Sequence, residues 1–491
     1  MPKHAISAGV ALAFCATPVL ADLTAPQVWA DWQRGYGALG STVSAASETY
    51  EDGTLTLTDI VATATLGEVD TISTYSGLTL VEQPDGSVRI EIPARLDITS
   101  ATTVMNTEQT QTLALETTGW DAVVREDGAG RVYDISAATL AYVFDGMTGG
   151  SGNEGEDVTG RMTLSNMATT YTNVASGDVL ATDQTLSADG AVITAASPDA
   201  GFEMTYTLDA IASVFAGTID LAATPVTPTL SSMGLLLSGD ATHEGSTLAV
   251  TAASDSGPVS INGTSGGGRI GIDISEDTLG YTLGSTDAQM TLTLSAFPVP
   301  LNLTMSELST GLALPLGVSD EPKPYALSLA WRDVAIDDAI WGMFDPTGQL
   351  PRDPATILLN VSGTALMKAD IFGGDPAAMA AMNGAPGELR TLDLTQLNIA
   401  LAGAMLQGNG MLEFPTPGPV PQPVGTLNLS LDGGLALADK LVALGFLPAE
   451  QVAFAKGMAG VVARPVGEDQ LESEIVFTPD GGITANGLPL Q

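Results

Sequence analysis

Nucleophilic or metal-assisted chemistry in this chain would have to come from a short inventory. There are two histidines, His4 and His243, and one cysteine, Cys15, in 491 residues. His4 and Cys15 fall within the first 21 residues, so a chain trimmed there keeps His243 alone. A Ser-His-Asp arrangement would depend on that residue. It sits in Asp240-Ala241-Thr242-His243-Glu244-Gly245, a turn-like stretch with no nucleophile elbow nearby, and is expected as a solvated loop histidine. Thiolate nucleophiles, thiolate zinc sites and histidine-rich metal sites are excluded from the trimmed chain by the same count. Carboxylates are abundant at 57 Asp plus Glu, and glycoside hydrolysis needs only two, but spacing singles out no pair. Gly149-Gly150-Ser151-Gly152-Asn153-Glu154 approximates one calcium-binding nonapeptide. Such repeats bind by stacking several copies, so 149–157 is expected as an acidic loop. Gly266-Gly267-Gly268-Arg269 lacks the Gly-Lys-Ser/Thr ending of a phosphate loop and reads as a hairpin turn. No catalytic residue, cofactor or metal is expected.

The charge balance removes further classes. Sixteen basic residues against 57 acidic ones give a formal charge of −41. A nucleic-acid partner needs a basic face that displaces counterions, so nucleic acid is excluded. Docking on anionic headgroups through a polybasic patch is excluded for the same reason. Residues 1–21 (MPKHAISAGVALAFCATPVLA) read as a signal peptide, with Lys3 as the positive start and Val19-Leu20-Ala21 as the small-residue pattern before Asp22. Cleavage is therefore expected between Ala21 and Asp22, with export to a bacterial periplasm. The apolar run is short of the ~20 residues a spanning helix needs, so no integral membrane segment is expected afterwards. Phe14 stands where a lipobox before Cys15 would want a small residue. The trimmed chain has no cysteine, and its core must hold without disulfides.

The elements that would position any site are mostly strands. Thr54–Thr58, Ser87–Ile92 and Gly201–Leu208 alternate apolar and polar residues, and similar runs follow at Met290–Leu294 and Leu389–Leu401. Asp52-Gly53, Asp85-Gly86, Asp127-Gly128 and Asp189-Gly190 read as turns. The spacing predicts a mainly β protein of extended, curved antiparallel sheets, meanders and hairpins, with a few short covering helices. A helix is predicted at the start of the trimmed chain, opened by Thr24 and Pro26 and placing Val28, Trp29, Trp32 and Tyr36 near one face. Others are expected at Leu208–Phe215, 337–344, 375–382 and 437–462, the last as a pair joined at Gly445–Leu447. PTPGPVPQP, from Pro415 to Pro423, reads as an extended linker or sheet-edge crossing. Three divisions follow: the signal at 1–21, a β-rich lobe at 22–224 and a second at 225–491.

An outer-membrane barrel would want aromatic girdles, and aromatics make up 5% of the chain. An open curved sheet can hide an apolar face by closing, stacking, taking a helical cover or holding an apolar ligand. The last is expected here, making the protein a non-enzymatic binder or shield of a lipid-like ligand. A ligand-free structural protein with a packed β core and a carboxylate-based hydrolase are the alternatives.

Two segments carry a family resemblance. Trp341–Gly363 reads WGMFDPTGQLPRDPATILLNVSG, and residues 481–490 read GGITANGLPL. With the leading tryptophan helix, they resemble the bacterial family called domain of unknown function 2125, exported proteins of about this length. The resemblance implies a distant likeness to AsmA-like envelope proteins, whose long β-grooves are linked to lipid traffic. It supplies no catalytic residues. Within the first segment, Asp345-Pro346 and Asp353-Pro354 hold the chain extended and Gly348 permits a tight turn. Arg352 is expected to pair with Asp345 or Asp353 as a structural latch between the helix at 337–344 and a strand at Thr356–Val361.

Overall fold

The computed structural model describes residues 22–491 apart from 39, 67–68, 105–106, 129, 150–157, 223–233, 298, 371–385, 417–421 and 491. The expected signal segment with Ala21, the expected helix at 375–382 and nearly all of the expected acidic loop at 149–157 therefore lie outside the described residues. The fold is mainly β, an antiparallel sheet with four short helices among the described residues.

The chain opens with α1 (Ala25–Ala38), then β1 (Ser41–Glu51), β2 (Thr54–Leu66), β3 (Val69–Glu82), β4 (Val88–Glu91), β5 (Arg95–Val104), β6 (Thr107–Thr118) and β7 (Asp121–Asp127). Four long strands follow: β8 (Gly130–Gly149), β9 (Thr159–Ser176), β10 (Val179–Ser197) and β11 (Phe202–Asp220). Next come β12 (Leu236–His243), β13 (Gly245–Ala252), β14 (Val259–Ser265), β15 (Gly267–Ile274), β16 (Thr278–Leu294), β17 (Leu301–Pro315) and β18 (Lys323–Ile336). After α2 (Asp338–Phe344) lie β19 (Ala355–Met367), β20 (Gly387–Leu401), β21 (Ala404–Thr416) and β22 (Gln422–Asp432). The helices α3 (Gly434–Ala443) and α4 (Ala449–Val462) precede β23 (Arg464–Gly467), β24 (Gln470–Phe477), β25 (Ile483–Ala485) and β26 (Leu488–Pro489).

Most strands pair with their sequence neighbours, as alternating runs joined by short turns should. Besides the pairing of β22 with β24 across α3, α4 and β23, the meander departs from this twice in the same way. The long β3 faces two short ribbons, β5–β6 at one end and β4–β7 at the other, and both rejoin the long β8. Likewise β11 faces β12–β15 at one end and β13–β14 at the other, and both rejoin β16. Pairing of β11 with β12 and β13 carries the ladder across residue 225, so the two lobes expected there share one sheet. The proline run 415–423 is no linker at its ends, since β21 and β22 pair out to Thr416 and Gln422.

A line of left-handed residues crosses the sheet at right angles to the strands. Asp59, Asn166, Ala210, Asp287 and Asp333 have φ between 48° and 52°, each inside a long strand. The registers put Asn166 opposite Asp189, and Asp189 opposite Ala210. Ser306 similarly faces Asp287 on one side and Asp333 on the other. The Asn166 Nδ2 donates to Asp189 Oδ2 at 2.7 Å and the Ser306 hydroxyl to Asp333 Oδ2 at 2.6 Å. In the split units the line continues as the breaks between ribbons, at Pro93–Ala94, Gly119–Trp120, Glu244 and Gly266. Asp and Asn tolerate this backbone better than other non-glycine residues. At most of these positions the ladder skips a pair on both strands without a change of register, and the alternation of faces resumes one residue later.

The one-residue slip explains two corrections. In β11 the partly buried positions run Phe202, Met204, Tyr206, Leu208 and then Ile211, Ser213, Phe215, Gly217, Ile219. The slip at Asp209-Ala210 spaces Leu208, Ile211 and Phe215 as i, i+3 and i+7, which is helical periodicity. Leu208–Phe215 is nevertheless strand. Asp189-Gly190 is not a turn either; it lies inside β10 on the same line. The other three Asp-Gly pairs do form turns, with Gly53, Gly86 and Gly128 at positive φ.

Candidate functional site

The face on which α1 lies defines the inside of the sheet. Val28 and Trp29 pack there on Leu55, Leu57, Leu80, Val88 and Val124 in one buried cluster with Tyr133. Polar bonds fasten the helix: Trp29 Nε1 donates to Glu48 Oε1 at 2.9 Å, Trp32 Nε1 to the Tyr133 hydroxyl at 3.1 Å, and Ala25 N–H to Glu82 Oε1 at 2.9 Å. Thr24 does begin the helix, but the cap is reversed: the Gln27 side chain accepts from the Thr24 N–H at 3.0 Å. Tyr133 stacks on Tyr171, with ring centroids 4.2 Å apart. Burial pushes both phenols above their ordinary pKa.

Beyond β10 the same face continues past the end of α1. Cross-strand partners share a face, so the registers can be followed as one row: Phe215, Gly239, Ile272, Tyr281, Leu312, Leu327, Val361, Leu394, Gly410, Leu427, Ile475. At one strand spacing per step this row is about 48 Å long. The next row runs Ser213, Ala241, Ile270, Leu283, Thr310, Leu329, Leu359, Leu397. Neither row contains a charged residue, in a chain with 57 acidic ones. Ile270, Tyr281, Leu312 and Leu327 are 37–52% exposed, whereas Leu57, Leu80, Val124 and Tyr133 under α1 are at most 1% exposed. The ion pairs Arg95–Glu116, Arg269–Asp240 and Arg332–Glu307 sit in the opposite phase, on the outer face.

Where the cover ends, a cavity of about 480 Å³ opens between α1 and β8–β12. Trp32, Tyr36, Leu180, Phe215, Ile219 and Leu237 supply its apolar lining. Its one acid, Asp31, is held by Arg131 at 3.1 Å and by Arg34 at 3.4 Å. A second cavity, about 600 Å³, is polar and lies against β20–β24, with Gln396, Asn398, Gln407, Asn409 and Asn428 in its lining. The buried Asn398 Oδ1 there has no protein partner.

The residues singled out from the sequence are distributed as follows. Asp22 is exposed, directly before the buried Leu23. His243 is not in a loop: it ends β12 on the inner face, against Gly268, and its Nδ1 bonds the Gly245 carbonyl at 3.0 Å rather than a carboxylate. Asp345 is fully buried and closes the turn after α2, accepting from Leu350 N–H at 2.7 Å, Gln349 N–H at 2.9 Å and Thr347 Oγ1 at 3.3 Å. The Leu350 N–H, foremost, holds its carboxyl below the usual carboxylate range against the opposing effect of burial. Arg352 does not close onto Asp345 or Asp353. Its Nη1 donates to Asp338 Oδ1 at 2.6 Å, in the first turn of α2, while Asp353 is exposed. The backbone explains this: the carboxylate of Asp345 is already occupied by N–H donors of its own turn, leaving the exposed Asp338 for the guanidinium. Gly348 takes the left-handed turn position at φ 65°.

Among the described residues no group of three His, Cys, Asp or Glu side chains is placed to hold a metal ion. No helix among them is long and apolar enough to cross a membrane. Searches against family models, curated proteins and solved structures find no match to this chain.

Proposed function

We propose that the chain is an exported, periplasmic envelope protein that is not an enzyme and that binds or shields an apolar, lipid-like ligand on its inner face. The observation that carries this reading is the uncharged apolar row from Phe215 to Ile475, which crosses eleven strands with no member buried and with Tyr281, Leu312 and Leu327 37–43% exposed at its centre. Contiguous exposed apolar surface of this extent marks an interaction site on a soluble protein. The row exceeds the ~15 Å depth of one bilayer leaflet about threefold, so it accommodates an extended acyl chain lengthwise. The α1 end, with its cavity at Trp32 and Tyr36, would act as the stop. The resemblance to the domain of unknown function 2125 family, and through it to AsmA-like envelope proteins, belongs to the same proposal.

The test is native mass spectrometry and lipid extraction on protein purified from periplasm without detergent. The expected result is a phospholipid or other lipophile at defined stoichiometry, above that carried by a control periplasmic protein, and its loss in a Leu312→Asp/Leu327→Asp variant. A bare polypeptide mass with an extract no richer than the control would overturn it.

A further inference from the structure

We infer that the hairpin of α3 and α4 seats the molecule on the surface of a lipid bilayer. α4 is fourteen residues, AEQVAFAKGMAGVV, with Glu450 and Lys456 as its only charges and Val452 as its only fully buried side chain. Phe454 is 72% exposed, Met458 and Val461 about half, and Phe446 at the tip of the hairpin is 50% exposed. Apolar side chains on a helix are suited to burial, yet among the described residues the rest of the chain buries only Val452 of this one. At ~1.5 Å per residue it is about 21 Å long, short of the ~30 Å hydrocarbon core, so it suits the interface rather than a crossing.

Charge separates this segment from the rest of the molecule. Residues 434–464 hold Lys440, Lys456 and Arg464 against Asp439 and Glu450, a net of +1 in a chain of −41. The Lys456–Asp439 pair at 2.6 Å ties the two helices together. The remaining exposed face offers the rings and methyls of Phe454, Met458 and Val461, with its polar groups, Glu450 and Gln451, confined to the first turn of the helix, where they can reach the headgroups.

The hairpin also has an apolar neighbour at the same edge of the sheet. Gly403, in the β20–β21 turn, stands against Pro351 on one side and Gly433 on the other, so the loops after α2, after β20 and before α3 are contiguous. Phe344 and Leu401 are exposed along that edge. The hairpin is rooted on the inner face. Gly434 begins α3 against Leu431, and the Val462 carbonyl at the end of α4 accepts from the Ser473 hydroxyl at 2.6 Å. Bilayer hydrocarbon around the hairpin would therefore adjoin the open apolar rows. The seat does not depend on those rows carrying a ligand.

The experiment is flotation of the full chain with phosphatidylcholine vesicles, with tryptophan at position 446 (Phe446→Trp) as a local reporter. The expected result is co-flotation, a blue shift of the added fluorescence and its quenching by brominated acyl chains. The Phe454→Asp/Met458→Asp variant should lose vesicle affinity by about tenfold or more, with an unchanged melting temperature because both side chains are exposed. The local reporter distinguishes hairpin insertion from any contribution of residues 1–21. An added tryptophan that brominated lipid does not quench would overturn the inference. So would a native chain that sediments as a dimer dispersed by the double substitution, which would assign the hairpin to a second copy. Lipid stoichiometry from the inner-face test is a separate readout, and the two proposals can fail independently.

Discussion

The inner face of the sheet is one surface in two conditions. From β2 to β8 it lies under α1, and Leu57, Leu80, Val88 and Val124 are sealed from solvent. From β15 to β18 the same phase presents Ile270, Tyr281, Leu312 and Leu327 at 37–52% exposure. The side chains are alike and the backbone pairing is alike. The continuous seal from β2 to β8 comes with a single fourteen-residue helix, whereas beyond β11 the same phase is buried only locally, as at Ile274 and Leu412. Alternation in a strand therefore reports which face is apolar, while leaving open what that face meets.

The contrast is broken most directly by truncating one residue in each region. Leu80→Ala or Tyr133→Ala removes a fully buried side chain and should cost about 3–5 kcal/mol, read from the shift of the urea midpoint. Leu312→Ala or Tyr281→Ala in the open rows should cost under ~1 kcal/mol, because little surface is removed from contact there. Equal losses in both regions would mean that the open rows are packed in solution, and the distinction would fall.

A smaller test concerns a closed knot within the open region, the turn after α2. Arg352→Ala breaks an ion pair with the exposed Asp338 and should shift stability by less than ~1 kcal/mol. Asp345→Asn should do more, since the buried carboxylate serves three donors. The carboxyl of Asp345 is held below its ordinary range in the fold, so its contribution is complete above that range and disappears as the pH falls through its native value. The native chain should therefore lose stability below about pH 4 more steeply than the Asp345→Asn chain, in urea midpoints taken at each pH. Parallel pH profiles would show that the carboxylate does not hold the turn.

Much of this architecture is legible in the sequence because strand alternation and turn chemistry are local. The runs at Thr54, Ser87, Phe202, Met290 and Leu389 are all strands, and the helices near 25, 338, 434 and 449 stand within a few residues of expectation. Illegible are the features that depend on partners far along the chain. The split ladders of β3–β8 and β11–β16 repeat a topology without repeating a sequence, so no period announces them. The left-handed line at Asn166, Ala210 and Asp287 leaves only a one-residue slip in the alternation, which mimics a helix at Leu208–Phe215. For the candidate site, the apolar phase was readable strand by strand. That α1 covers one end of it was not, because Trp32 meets Tyr133 across 101 residues. The Arg352 pairing depended on which carboxylate the backbone had already engaged.

The left-handed line is common to both regions, and Ala210 marks it near the junction where the cover ends. Four of the five residues on the line are Asp or Asn, and Asn166 gains a side-chain bond to Asp189 for its strain. Ala210 has no such group, is exposed, and bears the ~1–2 kcal/mol that this backbone costs a residue with a Cβ. Glycine would remove that cost while adding ~0.4–1 kcal/mol of unfolded-chain entropy. Ala210→Gly should therefore raise stability by up to ~1 kcal/mol, and Asn166→Gly, which forfeits a bond, should not. Denaturant midpoints of the two variants decide the matter. If Ala210→Gly is destabilising, the left-handed backbone at Ala210 is not imposed on the strand by its neighbours, and the line would be a set of local choices rather than one fold across the sheet.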